Sequence, residues 1–282
     1  MILGAFTLIK NEAPWVGFCV LAAKNIVDEW VFFDGNSTDG TIEILEYLRD
    51  KKGLPIKLFK GQDPKDLRDD YVRIFNDCLG QVKSQYAWFL HPDMILLKAR
   101  KPAIHPGPLC FSVELRSFAG EPNGEILEYR EGRMPKWKSI MRNALGLHYH
   151  GWYGAVDEDM YFKNITGNQY KAYADWRRCP FDIVESGIEL AHYSDVRPYA
   201  RRSGRMITCL ENQGHTPEGA REFAQQHPRV TLKSGGPFGR FSFSPAGPPP
   251  AIFGEHATEL ATVIGKKPED FCPIPLEVSC RV

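Results

Sequence analysis

Five groups of polar side chains interrupt apolar runs in this 282-residue chain. They are Asn11-Glu12, Asp34 to Gly40, His91-Pro92-Asp93, Asp157-Glu158-Asp159, and Glu189 to Pro198, which contains His192. Carboxylates and imidazoles accept hydrogen bonds and move protons. Three adjacent acids at 157–159 repel one another, which raises the pKa of one and suits it to act as a base near neutral pH. On a helix, at most one or two of the three face the same pocket. Arg197, Arg201 and Arg205 share a helical face, with Arg202 beside them, and form a basic surface suited to an anion or to solvent. No Ser/His/Asp or Cys/His arrangement stands out. Three of these groups also have a structural reading. Asp34-Gly35 suits a turn, Ser37 or Asp39 a helix N-cap, the three acids a helix N-terminus, and His192 a packed strand.

The elements that must position these groups alternate in the first half. Ile2–Ile9, Trp30–Phe33, Pro55–Phe59 and Tyr86–Leu90 read as buried strands. Between them, helices are expected from Pro14 to Ile26, from Thr41 to a stop at Gly53, and along the stripe Leu67, Tyr71, Ile74, Phe75, Cys78, Leu79, Val82. Such β-α units imply a Rossmann-type, mostly parallel sheet with helices on both faces. Beyond residue 105, Phe111, Val113 and Leu115 alternate with polar residues, and Pro122-Asn123-Gly124-Glu125 is a turn signal, so an antiparallel addition is expected. From residue 214 the chain is rich in Pro and Gly, with short helices at 217–226 and 256–264. The expected division is a domain over 1–213 and a C-terminal extension over 214–282 without a core of its own. Ligands of open α/β sheets bind beyond the carboxyl ends of the strands. The groups at 11–12, 34–40 and 91–93 all fall there, and that coincidence is the first functional argument.

Composition narrows the classes. Lys+Arg and Asp+Glu are both 35, so no broad nucleic-acid footprint is expected. Seven widely spaced cysteines without a C-x-x-C pair argue against a disulfide scaffold or a cysteine zinc site, and favour a cytoplasmic setting. The apolar start Met1–Ile9 lacks a basic n-region and runs straight into Lys10-Asn11-Glu12, and the uncharged stretch Ala13–Ala23 is too short to span a bilayer, so neither a signal peptide nor a transmembrane segment is expected.

Residues 5–45 resemble the start of a family 2 glycosyltransferase, an inverting enzyme of GT-A fold. The carriers are Thr7 to Glu12, ending in Asn-Glu, and Phe33 to Thr41, where Ser37, Asp39, Gly40 and Thr41 stand in register with the family's "DDGSxDGT"-like turn. The resemblance implies a GT-A-like α/β fold and a nucleotide-diphosphate sugar donor. Asn11, Glu12 and Asp34 would then bind the donor, the carboxylates accepting N–H groups of the base. Arg73 and Asn76 take the place of the family's helix Asn and its neighbourhood. Trp88 to Asp93 take the place of the catalytic strand and its D-x-D end. The first Asp of that motif is His91 here, which would bind the ribose or the cation. Asp93 is kept and, with His192, would hold a divalent metal, Mn²⁺ or Mg²⁺. In the family an "ED" pair precedes an apolar helix, which implies Asp159 or Glu158 as the catalytic base for an acceptor hydroxyl.

The expected activity is therefore transfer of a sugar to a glycan or other hydroxyl acceptor with inversion. The alternative is a non-catalytic nucleotide-sugar-binding module with a degenerate D-x-D motif. A nucleotidyltransferase would need a Gly-rich basic loop after the first strand, where only Lys10 and Gly17 stand. A dinucleotide oxidoreductase would need G-x-G-x-x-G there.

Overall fold

A computed structural model describes residues 1–61, 69–99, 110–120, 126–131, 136–142, 147–152, 158–163, 169–171, 183–196, 203, 207, 210, 215–226 and 241–274. Its centre is four parallel strands: β1 (Leu3–Ile9), β2 (Glu29–Asp34), β3 (Ile56–Phe59) and β4 (Tyr86–Phe89). β1 pairs with β2 on one side and β4 on the other, and β3 lies outside β2. The order β3-β2-β1-β4 is the half-sheet of a Rossmann-type fold. Helices α1 (Ala13–Ala23), α2 (Thr41–Asp50) and α3 (Asp69–Gly80) make the connections.

Apolar residues on both faces of these strands require cover on both faces. Leu3, Ala5 and Ile9 of β1 join Trp30 and Phe32 of β2 in one core with α1 and α2. Phe6, between them in sequence, packs instead on Phe75 of α3 and on Phe89. Cys78 of α3 donates its thiol to the Thr7 and Val31 carbonyls from that second side. Cys19, Cys78 and Cys272 are buried free thiols.

The antiparallel addition is larger than the sequence reading. β5 (Met94–Lys98) and β8 (Lys136–Arg142) join β6 (Cys110–Gly120), β7 (Ile126–Glu131) and β12 (Ile183–Val196). β8 runs antiparallel between β4 and β6. β12 lies between β6, to which it is parallel, and β5, to which it is antiparallel. The 126–130 segment pairs back on β6, as the turn signal at 122–125 implies. A second sheet contains β9 (Leu147–Trp152), β10 (Glu158–Lys163) and β11 (Gln169–Lys171), and β9 lies against α3.

The C-terminal residues contribute to the same core. β13 (Phe241–Pro245) pairs with β7, and helix α4 (Pro217–Gln226) precedes it. Helix α5 (Ile252–Val263) packs on α1 and α2, followed by the turn-length α6 (Pro268–Phe271). Gly17 makes the α1–α5 contact possible, since a Cβ there would meet Leu260 at 2.7 Å. Glu259 of α5 accepts from the Tyr47 hydroxyl and the Lys52 ammonium and lies beside His256. Burial alone would raise the Glu259 carboxyl, but these partners hold it down at about 2. Among the described residues, no helix is long and apolar enough to cross a membrane.

At the amino edge of the sheet, buried Glu29 accepts the Lys83 N–H at 2.8 Å and the Ser84 N–H and hydroxyl at 3.0 Å, and it pairs with Lys57. Burial pushes this carboxyl up, but the Lys57 ammonium and the other donors outweigh it and leave it below its ordinary value. Glu29→Ala strands two backbone donors and should cost about 3 kcal/mol in urea unfolding at pH 7. Because the folded carboxyl is the stronger acid, its contribution is complete above the unfolded pKa of about 4.3 and fades as pH falls through the folded value. The gap between the unaltered chain and the variant should therefore narrow below about pH 4. A gap that stays constant on acidification would contradict the ionised assignment.

Candidate functional site

Parallel pairing brings three of the polar groups to one edge. Ile9 is in register with Asp34, and Phe6 with Phe89. Leu90 continues alongside β1, its N–H donating to the Phe6 carbonyl at 3.3 Å. The chain therefore leaves toward Asn11-Glu12, Gly35 and His91-Asp93 from three neighbouring strands. At about 4.8 Å between strands, those exits span roughly 10 Å.

Two of the exits are locked together by hydrogen bonds. Asn11 has a left-handed backbone, φ 55°. Its N–H donates to Ser37 Oγ at 2.8 Å, and its side-chain oxygen accepts the Thr38 N–H at 2.9 Å. The Asp34 carboxylate, 2% exposed, accepts the Ser37 N–H at 3.1 and 3.3 Å. The Glu12 N–H donates to Thr41 Oγ1 at 2.8 Å, and the Thr41 hydroxyl donates onward to Asp39. Asp39 also accepts the Ala13 N–H at 3.0 Å and the Thr41 N–H at 3.1 Å. One carboxylate thus serves the N-termini of α1 and α2, where the exposed N–H groups and the helix dipoles favour negative charge. Gly40 between them has φ 101°, and a Cβ there would meet Ile264 at 2.6 Å. The residues that carry the sequence resemblance, Ser37, Asp39 and Thr41, are thus the pins that hold Asn11, Glu12 and Asp34 side by side. Asp34 uses only part of its acceptor capacity on Ser37, because a carboxylate offers about four lone-pair sites.

The third exit meets a distant strand. β12 pairs with β5 so that His192 is opposite Met94, and the Tyr193 N–H donates to the Asp93 carbonyl at 2.9 Å. His192 Nε2 then lies 3.5 Å from Asp93 Oδ1, both side chains being buried. The His91 ring packs on Phe89 at 4.2 Å and lies 6.3 Å from the His192 ring. The structure thus brings Asp93 and His192 together and keeps His91 nearby. Cys19 of α1 donates to the His91 carbonyl at 3.5 Å. Burial, and then the Asp93 charge, push its thiol far above the ordinary range, so it is no nucleophile. Among the described residues, no group of three or more His, Cys, Asp or Glu is arranged to hold a metal. Asp93 and His192 offer two donors.

Arg73 is on the solvent side of α3 and pairs with Asp77 at 3.2 Å, while Asn76 is half-buried on the same helix. The expectation of an apolar helix after the acids at 157–159 is corrected: Glu158 and Asp159 open strand β10. Glu158 is opposite Trp152 of β9, and a register shift separates it from Met160. The side chains of Glu158 and Asp159, and the whole of Asp157, lie outside the described residues, as do Arg197, Arg201, Arg202 and Arg205. The Trp15 ring stacks on Tyr193 at 5.3 Å; Tyr193 stood in the Glu189–Pro198 group without a role and Trp15 was not singled out, since their distance along the chain gave no cue to the contact.

Fold and site together define an α/β protein with a Rossmann-type, mostly parallel central sheet and a cluster of acids and imidazoles at its carboxyl edge. No family model matches the chain, and no curated protein matches it. Among solved structures it is similar to S. aureus TarS 1-349, at TM-score 0.34 and 20% identity over 51% of this chain and 48% of that one. It is also similar to the same protein in complex with UDP, at TM-score 0.30 and 21% identity over 44% of this chain and 37% of that one. The chain thus spans less than half the length of these two neighbours, and likenesses at this level carry no argument about function.

Asp39→Ala removes the acceptor at both helix N-termini and should lower stability by about 2 kcal/mol, roughly one cap's worth per helix. Asp39→Asn keeps an oxygen acceptor and should lose about half of that. Urea midpoints at constant slope measure both, and a loss under about 0.5 kcal/mol for the Ala variant would contradict the shared cap.

Proposed function

We propose that the chain is an inverting glycosyltransferase that uses a nucleotide-diphosphate sugar. The observation that carries this reading is the gathering of Asn11-Glu12, Asp34 and the Asp93–His192 pair at the carboxyl ends of adjacent parallel strands. A donor of this kind needs hydrogen-bond acceptors for its base and a cation for its diphosphate, and the two ends of this row supply those chemistries in that order.

In this reading Asp34 and Glu12 accept N–H groups of the base, with Asn11 fixing the turn between them. Asn76, Arg73 and His91 contact the ribose and diphosphate. Asp93 and His192 would hold Mn²⁺ or Mg²⁺; one oxygen and one imidazole donor suit Mn²⁺ well. When bound, the cation neutralises charge on the departing nucleoside diphosphate. The acceptor hydroxyl oxygen attacks the anomeric carbon as the bond to the diphosphate breaks, and its proton passes to Asp159 or Glu158. The product is a glycoside of inverted configuration. The acceptor is a glycan or another hydroxyl compound, and the setting is the cytoplasm.

A thermal-shift panel of UDP-, GDP- and dTDP-sugars, with and without Mn²⁺, tests the reading. One donor class should raise the melting temperature by a few degrees, more with Mn²⁺ than without, since a ligand that binds only the folded chain stabilises it by an amount that grows with its concentration relative to Kd. Asp93→Asn should lower turnover by about 100-fold or more. No shift with any donor class would contradict the proposal. Binding without transfer or donor hydrolysis would favour a non-catalytic nucleotide-sugar-binding module.

A further inference from the structure

Tyr193 follows His192 in β12, next to the Asp93 end of the proposed donor site. Its ring stacks on Phe118 of β6 at 4.8 Å and on Trp15 of α1 at 5.3 Å. Phe253 of α5 meets it edge-on at 5.8 Å and also meets Trp15 edge-on at 6.2 Å. Its backbone N–H donates to the Asp93 carbonyl at 2.9 Å. Trp15, on the other side of the stack, donates its own N–H to the Glu12 carbonyl at 3.0 Å. A continuous set of contacts therefore runs from Glu12, through Trp15 and Tyr193, to Asp93 and its neighbour His192.

We propose that Tyr193 is a positioning residue for the cation end of this site: its ring, clamped among Trp15, Phe118 and Phe253, fixes where His192 and Asp93 meet. Successive side chains leave a strand on opposite faces. Anchoring the Tyr193 ring thus sets the rotation of β12 at His192, and the Tyr193 N–H sets the position of Asp93. Paired aromatic rings contribute beyond the area they bury, so the clamp is stiff as well as buried. The role belongs to the ring. A Leu fills part of the volume but supplies no flat face to Trp15 and Phe118. The inference rests on the nucleotide-sugar reading, because that reading gives Asp93 and His192 a cation to hold.

The test is Mn²⁺ uptake followed by the loss of the free-ion electron paramagnetic signal, with and without UDP, GDP or dTDP, on chains whose folding is checked by thermal melting. Tyr193→Leu should bind Mn²⁺ at least fivefold more weakly than the unaltered chain, and Tyr193→Phe within twofold of it. Phe18→Leu alters a buried ring that touches Phe253 and Phe271. It should lower the melting temperature while leaving Mn²⁺ affinity within twofold. If Tyr193→Leu does not fold, Trp15→Leu removes the same stack from the other side and should show the same fivefold weakening. Equal affinity in the stack variant and the unaltered chain would overturn the positioning role. Absence of Mn²⁺ uptake by the unaltered chain with every nucleotide would instead overturn the assignment of a cation to Asp93 and His192 on which the inference rests.

Discussion

Parallel pairing of β1 between β2 and β4 is the constraint on which the rest depends. Parallel strands end on the same side, so three separate stretches of chain must emerge together. The arrangement holds only if both faces of the sheet are covered. α1 and α2 cover one, α3 the other, and apolar residues along β1 and β2 meet both layers. Polar residues that follow those strands are thereby placed at the edge of a rigid sheet, where little chain entropy remains to be lost on binding.

The carboxyl edge is then fixed by local chemistry. Asp39 satisfies donors of two helices at once, and Ser37, Asn11 and Thr41 join the neighbouring exits. The structural and functional readings of this segment are complementary: the turn residues are caps, and the caps hold the candidate ligands in place. At the opposite edge, Glu29 performs the matching closure with Lys57, Lys83 and Ser84.

Much of this was legible because both-face burial writes continuous apolar runs. Leu3–Ile9, Trp30–Phe33 and Tyr86–Phe89 are such runs, and each is followed by residues that favour turns. Helix α1 was read with one apolar face at Val16, Cys19, Val20 and Ala23. It is buried nearly all round, because α5 covers its other side, and a helix from the far end of the chain leaves no mark on local periodicity. β5 was hidden because Met94-Ile95-Leu96-Leu97 does not alternate and follows a turn that looked like an end. β8 was hidden by the charges at Lys136 and Lys138. The run Met160–Phe162 is too short for its period to separate strand from helix, hence the misread helix after the acids. In the site, Asp34 and Asp93 could be named from motif position. The approach of His192 to Asp93 depends on β12 pairing with β5, a long-range match that no local pattern encodes.

The central claim is that one activated sugar lies along the row from Asp34 to Asp93. A crystal structure of the chain grown with Mn²⁺ and the nucleoside diphosphate that stabilises it best, with anomalous scattering recorded for manganese, tests this directly. The account predicts the base within hydrogen-bond distance of Asp34 or Glu12 and a manganese peak at Asp93 and His192. A nucleotide bound elsewhere on the molecule, or a manganese peak distant from Asp93, would contradict it.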